Sequence, residues 1–459
     1  MTSAVRFIED LPRYASRVAL VDDGQQYSYA DICDVINTTT RQWQSLTSLR
    51  RPLILLECRQ TATTVLHYLT CLANNWPVML INEQLGETAR EDIVTRFQPS
   101  LMVTDDDIQS LSDKQHEMDS QLAVLLSTSG STGGGKWVAI SAENINANTQ
   151  SILDYLPITV DDNALATLPF SYSYGLSVLH THLAAGACLT LTRLTAMDRG
   201  FWSLLNESGI TSLSGVPHWY EMLARLRFTR HELPHLRYFT QAGGRLSERF
   251  IKEFANYADN TDKHFYVMYG QTEATARMAY LSPDKVGRKP QSIGQPVPGG
   301  RFAIFDEQGQ DITETGEQGE IGYQGDNIML GYVSGADELG SFTQNSWLYT
   351  GDIGFRDADG DYVITGRKSR FIKIYAERVN LDGLESLMAQ HQQDVKCLGS
   401  DNQLKVACLE GDKSAVESSL RQLVSVPPKA VTVFEVPEWP QLNNGKTDYR
   451  SLEALAQHL

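Results

Sequence analysis

Apolar runs and amphipathic segments alternate along roughly the first 290 residues of the chain. Residues 53–57 form an apolar run typical of a buried strand, residues 61–74 follow a helical pattern, and residues 77–82 predict the next strand. The same order recurs, with predicted helices at 142–155 and 176–185 and predicted strands at 164–168 and 187–192. This alternation predicts an α/β fold in which helices cover mostly parallel sheets.

The pattern changes at about residue 295, where turns rich in glycine and proline separate short predicted strands. These strands are Phe302–Phe305, Glu320–Gln324, Gly354–Asp357 and Tyr362–Thr365. They indicate a small antiparallel β subdomain over about 295–367. The polar stretch Lys368-Ser369-Arg370 then predicts a linker to a small α+β tail. We therefore expect a large N-terminal domain over 1–367 and a small C-terminal domain over 368–459.

Composition narrows the possible partners of this chain. Its 459 residues carry a net charge of −17, which argues against binding to nucleic acid or to an anionic membrane. The six cysteines lack zinc-site spacing and mostly lie in apolar surroundings, so we expect buried free thiols in a reducing compartment. The sequence shows neither a membrane-spanning apolar run nor the core of a signal peptide. We therefore expect a cytoplasmic protein.

The stretch Thr128–Lys136 is the most informative segment, since it holds four glycines, four hydroxyl side chains and one lysine. Glycines allow tight turns that direct backbone N–H groups at an anion, and the hydroxyls and the ammonium add further donors. Phosphate is the natural ligand of such a loop. A flexible linker is the plainer interpretation, but the apolar flanks 122–126 and 137–140 argue against it.

The same loop partly fits the P-loop of nucleotide triphosphatases through Gly130, Gly135 and Lys136. A P-loop continues with Ser or Thr and opens a helix, whereas Trp137 follows here and begins a strand-like segment. The helix signal comes later, with Ser141 as its N-cap. The sequence thus predicts strand–loop–strand, and a P-loop ATPase remains a remote alternative.

Three further segments carry candidate ligand-binding groups, each with a plainer structural interpretation. The segment 268–273 offers an aromatic ring, a hydroxyl and a carboxylate, or simply a strand end with a helix cap. Asp352 follows a predicted tight turn at 349–352, and with Arg367 it could bind a ribose or a phosphate. The plainer interpretation is an Asx turn at Asp352 and a surface arginine at Arg367. Lys446 lies in an exposed turn, where most lysines are simply solvated.

In their order and spacing, these segments resemble the adenylate-forming superfamily of acyl-CoA synthetases, nonribosomal-peptide adenylation domains and luciferases, closest to acyl-CoA synthetase-like AMP-dependent ligases. The resemblance runs from Tyr27 to Lys446. It implies ATP-dependent conversion of a carboxylic acid to acyl-AMP with release of pyrophosphate. Transfer to a pantetheine thiol follows. No carrier domain is evident, so the acceptor would come from outside, and the net charge of −17 favours CoA over a separate, acidic acyl carrier protein. A binding-only pseudoenzyme is disfavoured because Lys446, Glu273 and Asp352 are all present.

The resemblance also implies a role for each matching residue. Lys446, Thr272 and Glu273 would be catalytic, and Glu273 with Thr132 would bind Mg²⁺. Asp352 and Arg367 would contact the ribose of ATP. Further nucleotide contacts would come from the phosphate loop, from the glycines beside adenine and from the adenine-stacking ring, namely Thr128, Ser129, Gly130, Ser131, Thr132, Gly133, Lys136, Gly243, Gly244 and Tyr269.

The C-terminal segment departs from the family pattern at its hinge and along the implied thiol path. The resemblance implies a mobile C-terminal domain that carries Lys446 and turns about a hinge at Ser369, where the family usually has Asp or Lys. Lys373 and Ala376 match the motif that lines the pantetheine path, although the family usually has glycine at the second position. Gly383 stands where the family usually has a carboxylate.

The segment corresponding to the acyl pocket limits which class of carboxylic acid could bind. Amino-acid-activating relatives carry an aspartate here, but no acidic residue lies between Pro169 and His182, so an α-amino acid is not expected. Tyr172, Tyr174 and Ala242 suggest a partly apolar pocket with a hydroxyl or two. A fatty, short-chain or aryl acid would fit. Plain core packing of the two tyrosines is the alternative.

Overall fold

The chain divides into two compact units, Met1–Arg301 with Tyr323–Leu348, and Phe302–Gly322 with Tyr349–Leu459. The computed structural model describes residues 3–127, 136–343, 346–374, 377–400, 402–423, 428–442 and 446–456. Residues 302–322 and 349–367 cluster here with the C-terminal residues. The domain boundary after residue 367 stays a prediction.

The α-helices of the described residues follow the predicted alternation with strands. They are α1 Arg6–Asp10, α2 Tyr29–Leu46, α3 Ala62–Ala73, α4 Glu87–Phe97, α5 Ala142–Tyr155, α6 Ser173–Ala185, α7 Arg199–Glu207, α8 Pro217–Arg225, α9 Glu248–Asn260, α10 Pro283–Val286, α11 Leu381–Gln390, α12 Lys413–Leu423 and α13 Tyr449–Ala456.

The strands of the described residues are short, and most are buried. They are β1 Val18–Asp22, β2 Gln25–Ser28, β3 Ile54–Cys58, β4 Val78–Asn82, β5 Leu101–Val103, β6 Ile108–Ser110, β7 Leu122–Ser127, β8 Trp137–Ser141, β9 Asn163–Ala166, β10 Cys188–Leu191, β11 Ser212–Gly215, β12 Tyr238–Gln241, β13 His264–Tyr269, β14 Ala279–Leu281, β15 Ser292–Pro296, β16 Arg301–Phe305, β17 Gly319–Gln324, β18 Gly331–Val333, β19 Leu348–Arg356, β20 Tyr362–Arg367, β21 Phe371–Ile374, β22 Glu377–Asn380, β23 Val395–Ser400, β24 Gln403–Leu409 and β25 Val431–Val436.

The first unit contains two extended runs of paired strands. One has the order β18-β8-β7-β4-β3-β5-β6, with β7, β4, β3 and β5 parallel. The other has the order β15-β14-β13-β12-β11-β9-β10-β1-β2, and it is parallel from β13 to β1. Strand β3 is buried at every position, which explains its nearly continuous apolar sequence.

The described residues of the second unit combine β-strands with the helices α11, α12 and α13. Strands β16-β17-β19-β20 lie side by side, and β19 pairs antiparallel with β20. Strands β23, β24 and β25 form a small mixed sheet on which α11 and α12 pack. An apolar core that includes Ile372, Leu384, Met388 and Val406 joins these elements.

The cysteines are free, as their spacing predicts. Cys58, Cys71, Cys397 and Cys408 are buried, and the other two are half-buried. Among the described residues, no helix is both long enough and apolar enough to cross a bilayer.

A partly buried ion pair connects the starts of β9 and β12. Arg237 Nη1 lies 2.6 Å from Asp162 Oδ1, and the backbone N–H of Thr159 donates to Asp162 Oδ2 at 2.7 Å. Burial alone would raise the pKa of the Asp162 carboxyl, but hydrogen bonds from Thr211 and Thr159 and the charge of Arg237 lower it below its usual value. The ionised carboxylate therefore stabilises the fold.

We expect Arg237→Met to lower the free energy of unfolding at pH 7 by about 2 kcal/mol, because it leaves a buried carboxylate without its cation. The folded-state pKa of Asp162 is lowered, so its contribution is complete above the unfolded value of about 3.9 and is lost as the pH falls through the folded value. Urea unfolding at pH 7 and at pH 3 should show the difference between variant and wild type shrinking in acid. Arg41→Met, which removes a surface arginine bonded only to a backbone carbonyl, is the control. A difference that does not change with pH would contradict this account.

Candidate active site

The predicted strand–loop–strand around the phosphate loop is confirmed. Strands β7 and β8 form an antiparallel pair in which Ser127 lies opposite Trp137. Ser141 caps α5, accepting a hydrogen bond from the N–H of Asn144, whose side chain accepts one from the N–H of Ser141 in return. Residues 128–135 lie outside the described residues, and with them the predicted ligands Thr128, Ser129, Gly130, Ser131, Thr132 and Gly133. Lys136, at the start of β8, is described.

Trp137 anchors the end of this hairpin. Its side chain is only 3% exposed, and its ring packs edge-on against Phe97 with centroids 5.8 Å apart. The large ring thus belongs to the core beneath β8. The side chain of Lys136 next to it is exposed.

One tyrosine connects Lys136 to Glu273. Strand β18 pairs with β8 and places Tyr332 opposite Val138, next to the loop exit. Tyr332 Oη donates to Glu273 Oε1 at 2.7 Å, and Lys136 Nζ lies 5.5 Å from the centre of the Tyr332 ring. Burial and the Glu273 carboxylate raise the pKa of the Tyr332 hydroxyl, so it stays a protonated donor. Lys136, predicted to bind phosphate, and Glu273, predicted to bind magnesium, thus contact the same residue. That residue, Tyr332, was missed by the motif analysis.

The segment that carries Thr272 and Glu273 is a tight turn after β13. A Cβ on Gly270 would lie 1.7 Å from the carbonyl oxygen of Ala276, so only glycine fits there. The 3-10 turn Thr272–Ala274 follows. Tyr269, the predicted adenine-stacking ring, ends β13, and Gln271 Nε2 lies 3.4 Å from its hydroxyl.

Asn327, a second residue that the motif analysis missed, holds this turn in place. Its buried side chain donates to the carbonyls of Ala274 at 2.9 Å and Arg277 at 3.0 Å, and accepts from Tyr323 Oη at 2.9 Å. The carbonyl of Asn327 accepts from Thr275 Oγ1 at 2.7 Å. The bonds between Asn327 and residues 274–277 span 50 to 53 residues of sequence, so no local pattern indicates them.

The predicted acyl-pocket residues lie beside Thr272. Ser173 Oγ, at the start of α6, is 3.4 Å from Thr272 Oγ1. A Cβ added to Gly243 would lie 2.6 Å from Tyr172 Oη, so this tyrosine abuts the loop formed by Ala242, Gly243 and Gly244. Tyr174 is buried. The residues predicted to hold the acid, the adenine and the α-phosphate therefore meet at one end of β12 and β13.

In the second unit, Asp352 and Arg367 face each other across β19 and β20. Arg367 Nε donates to Asp352 Oδ1 at 2.9 Å, and the Asp352 side chain is almost fully buried. The predicted tight turn at 349–352 is instead part of β19, and Gly351 takes a positive φ of 72° within the strand. The two predicted ribose ligands are therefore brought together by strand pairing.

Ser369, the predicted hinge, lies in a 3-10 turn between two paired cations. Lys368 Nζ is 2.6 Å from Glu320 Oε2, and Arg370 pairs with Asp382 and Glu385. The Arg370 guanidinium also lies 4.0 Å from the centre of the Tyr449 ring.

The remaining C-terminal predictions are described only in part. Lys373 lies on β21, and Ala376 lies outside the described residues. Gly383 lies in the first turn of α11, where its N–H donates to Asn380 Oδ1 at 3.0 Å. Lys446 is half-buried, and its carbonyl accepts from the N–H of Leu442 at 2.8 Å.

Comparison with known proteins gives consistent matches. Residues 110–333 match the model of the family described as AMP-binding enzyme. The chain is 30% identical over 265 residues to an indoleacetate–CoA ligase of Aromatoleum aromaticum, covering 57% of this chain and 51% of that protein. It is 26% identical over 400 residues to a 2-succinylbenzoate–CoA ligase of Bacillus pumilus, covering 82% and 80%. The match to the indoleacetate–CoA ligase thus spans about half of that relative's length.

Solved structures share the fold over nearly the whole chain. The o-succinylbenzoate CoA synthetase MenE of Bacillus subtilis, solved with its acyl-adenylate intermediate, has a TM-score of 0.81 at 22% identity and 99% coverage of both chains. MatB of Rhodopseudomonas palustris, solved with ATP, has a TM-score of 0.82 at 19% identity, also with 99% coverage of both. The predicted α/β fold with helix-covered, mostly parallel sheets is confirmed.

Asn327→Ala should lower the free energy of unfolding by about 2–3 kcal/mol, since it removes the three hydrogen bonds of a buried amide, two to the Ala274 and Arg277 carbonyls and one from Tyr323 Oη. Tyr323→Phe is the matched control, because it removes a single hydrogen bond from the same cluster and should lower stability by about 1 kcal/mol. Urea unfolding followed by fluorescence measures both. Equal effects of the two substitutions would show that the bonds to the turn contribute nothing.

Proposed function

We propose that this chain activates a carboxylic acid with ATP and transfers the acyl group to a thiol, because residues 110–333 match the model of the AMP-binding enzyme family. An oxygen of the carboxylate attacks the α-phosphorus of ATP, and the bond to the leaving pyrophosphate breaks. The thiol sulfur then attacks the carbonyl carbon of the acyl-AMP, the bond to AMP breaks, and the thiol proton is released.

The first step brings two anions together, so positive charge and hydrogen-bond donors must offset their repulsion. Lys136 would hold the outer phosphates, and Thr272 would donate to the α-phosphate. The observation that carries the proposal is the contact of Tyr332 with both Lys136 and Glu273. It groups a cation with a carboxylate at the end of the phosphate loop.

The donor set around Glu273 fits magnesium held mainly by a nucleotide. Mg²⁺ binds through one or two carboxylates together with substrate phosphates. Within the described ranges, no group of three or more His, Cys, Asp or Glu side chains could form a metal site. Glu273 would therefore supply one protein ligand, with Thr132 beside it, and the ion would neutralise phosphate charge.

Residues of the second unit would complete nucleotide binding and catalysis. Asp352 would accept from the ribose hydroxyls, with Arg367 holding its other oxygen. Lys446 would lie between the substrate carboxylate and ATP in the first step. The thiol would pass Lys373 and Ala376 in the second step, after a movement about Ser369.

We favour CoA as the acceptor. The relatives named above are CoA ligases, and a separate acyl carrier protein remains the alternative. The acid would carry no α-ammonium group, since the segment 169–182 has no carboxylate to pair with it.

We expect ATP to be converted to AMP and pyrophosphate only when Mg²⁺ and a suitable carboxylic acid are both present. Nucleotide chromatography after incubation with a panel of acids, and with CoA added or omitted, measures this directly. Formation of pyrophosphate and acyl-AMP without CoA, and of thioester and AMP with CoA, would support both steps. ADP and phosphate as products would refute the proposal in favour of a P-loop type of ATPase.

Tyr332→Phe should weaken metal binding by roughly 10-fold or more, because it removes the hydrogen bond that orients the Glu273 carboxylate. Electron paramagnetic resonance of Mn²⁺, titrated into protein with saturating ATP, measures this affinity without turnover. Tyr27→Phe, on the distant strand β2, is the control. Unchanged Mn²⁺ affinity in Tyr332→Phe would show that Tyr332 does not position the metal ligand.

A further inference from the structure

The floor of the predicted acyl pocket is filled by polar side chains that bond to one another. Tyr174 is 3% exposed, and its hydroxyl lies 2.7 Å from Thr240 Oγ1 and 3.0 Å from the Thr240 carbonyl oxygen. Tyr220 donates to the same carbonyl at 2.8 Å, and Ser214 Oγ lies 2.9 Å from Thr240 Oγ1. The Tyr174 hydroxyl is thus occupied within the protein.

A buried guanidinium closes the other side of Tyr174. Arg277 is 2% exposed, and its Cζ lies 4.4 Å from the centre of the Tyr174 ring. Its Nη atoms donate to Tyr155 Oη at 3.2 Å and Ser177 Oγ at 3.1 Å, while its Nε–H is buried without an acceptor. Among the residues that the structure describes, no carboxylate lies within ion-pair distance of Arg277. We call Tyr174, Thr240 and Arg277 the polar floor.

The polar floor disfavours two classes of acid. A long alkyl chain would have to displace side chains whose hydrogen bonds it cannot replace, which is costly in a buried site. An ammonium group would approach a buried cation that has no counter-ion, and like charges repel strongly where water is excluded. A short acid without a positive charge remains.

Tyr172 differs from Tyr174 because its hydroxyl is not used. The Tyr172 hydroxyl makes no hydrogen bond within the described part of the chain. The ring packs edge-on against Tyr174, with centroids 6.3 Å apart, and the hydroxyl faces the backbone of Gly243. Burial raises the pKa of this hydroxyl to about 12, so it stays protonated at neutral pH. A mostly buried hydroxyl of this kind gains most from a ligand oxygen.

We propose that the acid is short and carries a hydroxyl or keto oxygen that hydrogen-bonds Tyr172 Oη. This inference rests on the proposed function, and it narrows the choice among fatty, short-chain and aryl acids. The hydrogen bond would fix the orientation of the acyl chain, and the polar floor would limit its length.

The test compares acids that differ by one group of equal size. 3-Hydroxybutyrate and 3-methylbutyrate differ by a hydroxyl in place of a methyl, as do lactate and 2-methylpropionate, and dodecanoate represents the long chains. We expect kcat/KM for pyrophosphate release to favour the hydroxy acid of at least one pair by about 10-fold or more. The kcat/KM for dodecanoate should be lower than that for either member of the favoured pair.

Two variants identify the residue responsible. Tyr172→Phe should bring the ratio within the favoured pair close to one, whereas Tyr174→Phe, which removes a hydroxyl already bonded to Thr240, should leave the ratio unchanged. Because each ratio is measured within one variant, lost stability does not affect it. Efficient use of dodecanoate, or a ratio unaffected by Tyr172→Phe, would overturn the inference while leaving the proposed function intact. Absence of AMP with every acid would refute the proposed function, and this inference with it.

Discussion

The buried amide of Asn327 is the contact on which the candidate site of the first unit depends. Its Nδ2 group bonds the carbonyls of Ala274 and Arg277, and so fixes both ends of one short turn. Glu273 precedes that turn and meets Tyr332, and Arg277 follows it and lies on Tyr174. The predicted metal-binding side of the site and the predicted acyl side are therefore positioned by the same few hydrogen bonds. A change at Asn327 would disturb both sides together.

The sequence predicts the alternation of strands and helices because, in a layered fold, the buried face of each element requires apolar residues at a regular local spacing. It also predicts the strand–loop–strand around Lys136, since Trp137 excludes the helix of a P-loop. Tyr332 and Asn327 escape this type of analysis because their partners lie 59 and 50 residues away in sequence. A tyrosine in a short strand and an asparagine in a glycine-rich turn each have an ordinary local explanation.

Two other differences between the sequence-based predictions and the structure have separate physical causes. The glycine and aspartate at 351–352 suit a turn and a twisted edge of a strand equally well, and pairing with β20 decides between them. Tyr172 and Tyr174 look alike in sequence, yet Tyr172 is the N-cap of α6 and Tyr174 is its second residue, and the two side chains face different surroundings. Tyr174 reaches Thr240 on β12, whereas Tyr172 faces the Gly243 loop. Only the packing of α6 against the sheet separates a core tyrosine from one that can meet a ligand.

The free cysteines have a chemical consequence for the proposed reaction. Burial raises the pKa of every one of them, so their thiolate fractions at neutral pH are small. The thiolate is the nucleophilic form of cysteine. A mixed anhydride formed on this chain would therefore find few competing nucleophiles among the protein's own sulfur atoms. In the proposed reaction, burial would thus limit acylation of the chain's own thiols before an outside thiol reaches the acyl group.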